Sequence, residues 1–275
     1  MNFKVNVSKF RSHVAMVTPV IGKTFLPILN NILVSAENGK VTLFATNSTQ
    51  SIFTEFECNT INGSCTVPAK KLFAILDSLD QDDDITFEAD DNAVVEMTTS
   101  SGSFTLLGSP ATDFPESPRY IDSVQARLDS EVVNAMISLC RNTVVTDGSR
   151  PQLAGMSWSF SPDSTDAVAT DGKRITVYSV ETDNAEPMQP VIVPTSALPF
   201  IGKVIGNVEF DIQDSTLIVK GDNMTVTTKL IPGQFPNWKN VVPRSFKETV
   251  EVNGELLAKA VKLVSIVKLS AAFRR

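Results

Sequence analysis

The stretch VATDGKRI (residues 168–175) decides how this chain is read. It closes a β-rich run with a Thr-Asp-Gly turn and two cations, and LFATNSTQ (residues 43–50) is its companion. Thr46 and Thr170, at the same place in the two stretches, are 124 residues apart. Each is followed by an apolar strand closing on Val-Pro, TVPAKKLFAIL and VIVPTSALPFI, whose prolines Pro68 and Pro194 are 126 apart. Strands closing on Phe-Pro come next, FTLLGSPATDFP and VTTKLIPGQFP, ending at Pro115 and Pro236, 121 apart. Landmarks in one order at one period are an internal repeat, and a repeat outranks any local reading.

That period is too long for a solenoid or propeller blade, so each repeat is a domain of ordinary size. A chain of 275 residues holds about two of them. Hydrophobic residues make up 42% and charged residues 20%, the balance of a soluble globular protein. The net charge of −7 does not by itself suggest a nucleic-acid partner. No apolar run approaches the ~18 residues of a membrane span. The start, MNFKVNVSKF, lacks the basic-then-apolar form of a signal peptide. Cys58, Cys65 and Cys140 are odd in number and show no CxxC spacing, which points to cytosolic buried thiols. A cytoplasmic protein is the expectation.

Outward from the landmarks, residues 7–21 place Phe10, Val14, Val17 and Ile21 at helical spacing, with Ser8 as N-cap. Strand patterns ILVSAE, KVTLFAT and TEFEC follow, with hairpin turns expected at Asn38-Gly39 and Asn62-Gly63. Pro68 opens a second helix, AKKLFAILDSL, before a hairpin turning at residues 90–92 and the strand GSFTLLG. PESPRYID reads as a linker. The second repeat opens with LDSEVVNAMISLCRNTV, where Val132, Val133, Met136 and Cys140 form an apolar face capped by Asp129 or Ser130. Its strands and short helix keep the order of the first. A third start, VEVNGELLAKAVKLVSIVKL, repeats the amphipathic face. The period would carry that unit to about residue 370, so the sequence reads as a truncated piece of a three-unit protein.

No enzyme constellation is present. His13 sits inside a helical pattern, and no G-x-S-x-G elbow occurs. Gly22-Lys23-Thr24 ends like a phosphate loop, but Val17 stands where its first glycine belongs. DQDDD lacks the glycine and glutamate of a calcium loop and reads as an acidic turn. No metal, cofactor or catalytic residue is expected. Two features remain. Cations recur on or beside the repeated helices (Lys9, Arg11 and Lys23; Lys70 and Lys71; Arg141 and Arg150; Lys203; Lys259 and Lys262), either as solvated faces or as one lining that meets phosphates. Apolar residues Leu153, Ile175, Pro236, Trp238 and Val241 flank VATDGKRI, either as ordinary core or as the wall of a binding surface.

In order and spacing, LPILNNILVS, TVPAKKLFAIL, ATDFP, VATDGKRITVYSV, VIVP and GQFPNWKNVVP resemble the bacterial β sliding clamp, the processivity subunit of the replicative DNA polymerase III. The resemblance covers the whole chain. It implies an α+β fold of repeated domains, each two helices on antiparallel sheets: residues 1–120, 124–244 and the start of a third at 247–275. Two such chains would form a head-to-tail ring, with helices lining a hole through which duplex DNA slides on sequence-independent phosphate contacts.

Position by position, the resemblance gives Lys23, Lys70, Arg150 and Gln152 to DNA, with Pro151 and Gln152 standing where some relatives have aromatics. It gives a pocket for short linear peptides of polymerase and clamp-loader subunits to Leu153, Thr170, Gly172, Lys173, Arg174, Ile175, Pro236, Asn240 and Val241, with Phe273 near by. Such a pocket suits apolar anchors, and Gly172 admits a peptide backbone closely. Phe104 and Leu106 fall on one side of the ring contact, Ile266 and Val267 on the other. Without the sheets of a third domain the chain is expected not to close a ring. The runner-up reading is a peptide-binding adaptor that does not encircle DNA.

Overall fold

The computed structural model describes residues 1–22, 26–116, 124–145, 150–183, 189–243, 245 and 247–266. Met1–Phe235 form one compact unit and Pro236–Arg275 a second.

In the first unit the chain begins with β1 (Asn2–Asn6), α1 (Val7–Val17), β2 (Asn31–Glu37), β3 (Lys40–Thr46) and β4 (Gln50–Glu57). It continues through β5 (Thr60–Ile61), β6 (Gly63–Pro68), α2 (Ala69–Ser78), β7 (Asp84–Ala89), β8 (Val94–Thr99), β9 (Gly102–Leu107) and β10 (Ser109–Pro110). The second half is β11 (Ala126–Asp129), α3 (Ser130–Cys140), β12 (Gly155–Phe160), β13 (Ser164–Thr170), β14 (Ile175–Glu181), β15 (Val191–Pro194), α4 (Leu198–Ile201), β16 (Asn207–Gln213), β17 (Thr216–Lys220) and β18 (Thr225–Lys229).

Among the described residues these strands make three antiparallel sheets. Their orders are β5-β1-β7-β8-β9, then β10-β6-β2-β3-β4-β18-β17-β16-β11, then β14-β13-β12-β15. The repeat is plain in this topology. The order β1-β7-β8-β9 recurs as β11-β16-β17-β18, and β6-β2-β3-β4 recurs as β15-β12-β13-β14. The fold is α+β, with helices packed on antiparallel sheets.

Local chemistry explains where the elements start and stop. Asn6, not Ser8, caps α1: its side-chain oxygen accepts from the Lys9 N–H, because β1 runs directly into the helix. Phe10, Val14 and Val17 are buried, but Ile21 lies past the helix, since Pro19 tightens the chain into a 3-10 turn over Thr18–Val20. Asp129 caps α3 as expected, and its buried face is Val133, Met136, Ile137 and Cys140. Asn38 and Gly39 both take positive φ, as a two-residue hairpin requires.

Asn62-Gly63 is not a hairpin. β4 and β6 are not neighbours, because β5 leaves the large sheet to pair with β1 before β6 returns beside β2. The turn-like dipeptide marks a crossing between sheets. Burial pushes the Cys65 and Cys140 thiols up to about 11, well out of the reactive range.

The two halves join where β4 meets β18, with Ser51 opposite Thr227 and Phe53 opposite Thr225. This seam is polar. Gln50, Ser51, Thr54, Thr227 and Thr228 are all buried there. The Ser51 and Thr227 hydroxyls bond each other, and Gln50 Nε2 donates to Ser196 Oγ at 2.7 Å. Thr54 Oγ1 donates to the Asn223 carbonyl at 2.7 Å, so His13 Nδ1, 2.8 Å from Thr54 Oγ1, acts as donor to it. Burial first, and Lys9 second, lowers the His13 pKa and so favours the neutral imidazole.

The second unit contains a 3-10 turn, Trp238–Asn240, and α5 (Gly254–Ser265). Asn253 caps α5 by accepting from the Leu256 N–H, and none of its residues is buried. No helix among the described residues is long and apolar enough to cross a membrane.

Candidate functional site: a duplicated turn and the loop beside it

VATDGKRI ends β13, turns, and begins β14. In the turn, Thr170 Oγ1 donates to the Arg174 carbonyl at 2.8 Å and accepts from the Gly172 N–H at 3.0 Å. Asp171 Oδ1 accepts from the Lys173 and Arg174 N–H groups, and Asp171 Oδ2 pairs with Arg174 Nε at 2.9 Å. LFATNSTQ builds the same object from different residues. Thr46 Oγ1 donates to the Gln50 carbonyl and accepts from the Ser48 N–H, while Asn47 Oδ1 accepts from the Thr49 and Gln50 N–H groups. Both copies need a left-handed residue at their third position: Gly172 has φ 84° and Ser48 has φ 76°.

The copies differ in what lies against them. In the first, the Lys229 N–H of the neighbouring half donates to the Thr49 carbonyl. In the second, Gly172, Lys173 and Arg174 are exposed. At matching seam positions, Ser51 and Thr54 of β4 are replaced by Ile175 and Tyr178 of β14. Arg174 stands where the first copy has Gln50, so the second edge is mixed, with larger apolar groups at two of the polar positions.

A loop packs onto this turn. Arg150 leads into a 3-10 turn over Pro151–Leu153, and a Cβ at Gly172 would lie 2.6 Å from Arg150 Nη1. Gln152 lies against Gly233, and Arg174 Nη2 reaches the Asn142 carbonyl at 3.4 Å. Leu153 is buried, and Ile175 is half-buried. The structure therefore brings Arg150 to the 170–175 segment and Gln152 to Gly233. In the second unit, Pro236, Asn240 and Val241 are exposed, Val241 by 70%, so they are not core within that unit. Lys239 Nζ lies 5.5 Å from the Trp238 ring centre there.

Of the cations, Lys70 is exposed on α2 in the first half. Lys9 and Arg11 are otherwise engaged: Lys9 Nζ donates to the Glu57 carbonyl at 3.0 Å, and Arg11 pairs with Asp77. On β9, Leu106 is only 6% exposed and faces the core, while Leu107 is 74% exposed and Phe104 is half-buried. Leu107, not Leu106, carries the outward side chain of this strand. Ile266 is exposed. Lys23, Val267 and Phe273 lie outside the described residues.

The Lys173 and Arg174 N–H groups, then the Arg174 side chain, hold the Asp171 carboxyl down to about 2. The turn's stabilisation is therefore complete above the ordinary carboxylate range and lost as pH falls through about 2. Amide shifts of Lys173 and Arg174 should titrate near that value. Asp171→Asn should abolish the titration yet keep the turn, because Asn47 does the same work in the first copy. A midpoint near pH ~4 would show that the carboxylate is not held.

A twice-repeated domain of this topology, joined edge to edge through one continuous sheet, defines a DNA-clamp type of protein. Residues 1–118 match the family described as DNA polymerase III beta subunit, N-terminal domain, and residues 127–237 match its central domain. The beta sliding clamp of Synechococcus elongatus is 30% identical over 256 residues, covering 88% of this chain and 67% of that protein. The DNA polymerase III subunit beta of Pseudomonas aeruginosa superposes with a TM-score of 0.92 at 23% identity, over 98% of this chain and 76% of that one. A sliding clamp from Bartonella birtlesii, solved bound to griselimycin, gives 0.89 at 26% identity, over 98% and 75%. The chain belongs to the β sliding clamp family, the beta subunit of DNA polymerase III.

Proposed function

We propose that this chain is a sliding-clamp subunit that encircles duplex DNA and tethers the replicative polymerase for processive synthesis. The role is non-catalytic. The observation that carries the reading is the seam. The last strand of the second half, β18, pairs with β4 of the first. Among the described residues, the corresponding strands left at the two ends are β9 and β14, each with one neighbour. An edge-to-edge contact between unlike surfaces propagates from domain to domain until rotation closes a ring. Domains at residues 1–120 and 124–244, with a third beginning at 247, would supply that series in two head-to-tail chains.

DNA would meet Lys23, Lys70, Arg150 and Gln152 as loose phosphate partners in a hole, so an overall acidic chain still holds a polyanion. Leu153, Thr170, Gly172, Lys173, Arg174 and Ile175 would take short linear peptides from polymerase and clamp-loader subunits. Support comes from the exposed second turn and from Ile175 and Tyr178, which stand where the first copy has Ser51 and Thr54. Griselimycin bound to the Bartonella birtlesii clamp supports a ligand site in such proteins. Ring closure would use Phe104 and Leu106 on one side and Ile266 and Val267 on the other. The adaptor reading is not favoured, because the relatives are named as clamps. A cytoplasmic location goes with the proposed role.

The test is topological. A chain extended through a complete third domain, loaded by its clamp loader on nicked circular DNA, should stay bound in high salt and be lost when the circle is linearised. Equal retention on circular and linear DNA would overturn encirclement.

A further inference from the structure

A cavity of about 400 Å³ opens over the seam, away from the 170–175 turn. This is within the range of small-ligand sites. Its floor is aromatic and soft. Phe44 and Phe53 face each other across β3 and β4, the Phe114 ring stands edge-on to Phe44 at 5.8 Å, and Met224 is buried beside them. Thr225, opposite Phe53 on β18, continues the floor into the second half. One wall thus comes from each half.

The rim on the second half is built rather than loose. The turn at residues 221–224 is pinned by the Asp222 N–H on the Ile205 carbonyl at 3.0 Å. Asn223 adds two bonds, accepting from the Ile205 N–H at 3.1 Å and donating to the Lys203 carbonyl at 2.9 Å. Thr54 holds the Asn223 carbonyl from across the seam. This frame fixes the backbone of Asp222, whose exposed carboxylate lies over Gly206 at the cavity's edge and has no hydrogen bond or ion pair among the described residues. The other rim charges are spoken for: Glu55 pairs with Lys40 at 2.7 Å, and Lys220 has an interaction of its own. An aromatic floor with one unpaired carboxylate at its edge is complementary to a flat apolar body with a cationic head.

We propose that this cavity is a second ligand site, distinct from the peptide site, which takes an aryl-alkyl ammonium: the ring on Phe44 and Phe53, the ammonium at Asp222. A ligand there touches both halves and so ties the seam. The same chemistry could come from a free amine or from an aromatic-basic pair in a partner peptide.

The probe is tryptamine, followed by the methyl resonance of Met224 in methyl-labelled protein and assigned with Met224→Leu. A ligand of this size should bind with a Kd of about 1–10 mM. Asp222→Asn, a surface change, should weaken it about two- to fivefold, and Phe53→Ala more. Acetyl-Trp-Lys-amide binding more tightly than tryptamine would support a protein source, and the reverse a free amine. Indole-3-propionate has the same body and the opposite charge. If it shifted Met224 with equal affinity, or if tryptamine left the methyl unmoved to ~20 mM, the proposal would fail.

Discussion

Gly172→Val is expected to abolish the 170–174 turn and to weaken binding of a peptide with leucine and phenylalanine anchors by more than about tenfold. Two independent costs combine. At φ 84° a β-branched residue is strongly disfavoured, by about 2 kcal/mol or more. The new Cβ would also lie 2.6 Å from Arg150 Nη1, so the guanidinium must swing off the turn. The first copy of the turn acts as an internal control. Ser48 already bears the left-handed strain at φ 76°, so Ser48→Gly should stabilise the protein by about 1 kcal/mol. Thermal melts and fluorescence anisotropy with the labelled peptide read both. Wild-type peptide affinity in Gly172→Val would remove the turn from the binding site.

Phe10→Ala should cost about 3–5 kcal/mol of stability. The Phe10 ring is fully buried and meets Phe3 at 5.6 Å, Phe87 at 5.9 Å and Phe56 at 6.1 Å between ring centres. These partners come from β1, β7 and β4, two of them in one sheet and the third in the next. No neighbouring side chain can swing in to fill the space without leaving another ring unpacked, so the loss includes the cavity as well as the transfer of the ring. In urea the midpoint should fall while the slope is unchanged. A change below ~1 kcal/mol would mean that the site collapses freely.

Much of this architecture was legible because it follows from short-range rules. Phe10, Val14 and Val17 announce the buried face of α1 by period, Asp129 announces a cap, and Asn38-Gly39 announces a hairpin. The duplicated turn was legible as the pair VATDGKRI and LFATNSTQ, since each copy is closed by its own Thr and Asp or Asn side chains. Errors fell where a distant partner overrules a local preference. Ser8 loses the cap to Asn6, which the adjoining strand holds in place, and Asn62-Gly63 bridges two sheets because Thr60 and Ile61 pair with β1.

By itself, then, the sequence determined the repeat, the α+β class and the duplicated turn, all written in residue spacing and local hydrogen bonding. Only the tertiary structure decided what each copy faces. The first turn accepts the Lys229 N–H from another half of the chain, Leu106 turns inward while Leu107 turns out, and Arg150 comes to rest over Gly172. Those outcomes depend on which strand edges meet across more than a hundred residues of chain, as Ser51 meets Thr227. Pairing between such distant segments is selected by the packing of the whole sheet, and no local window of sequence contains it.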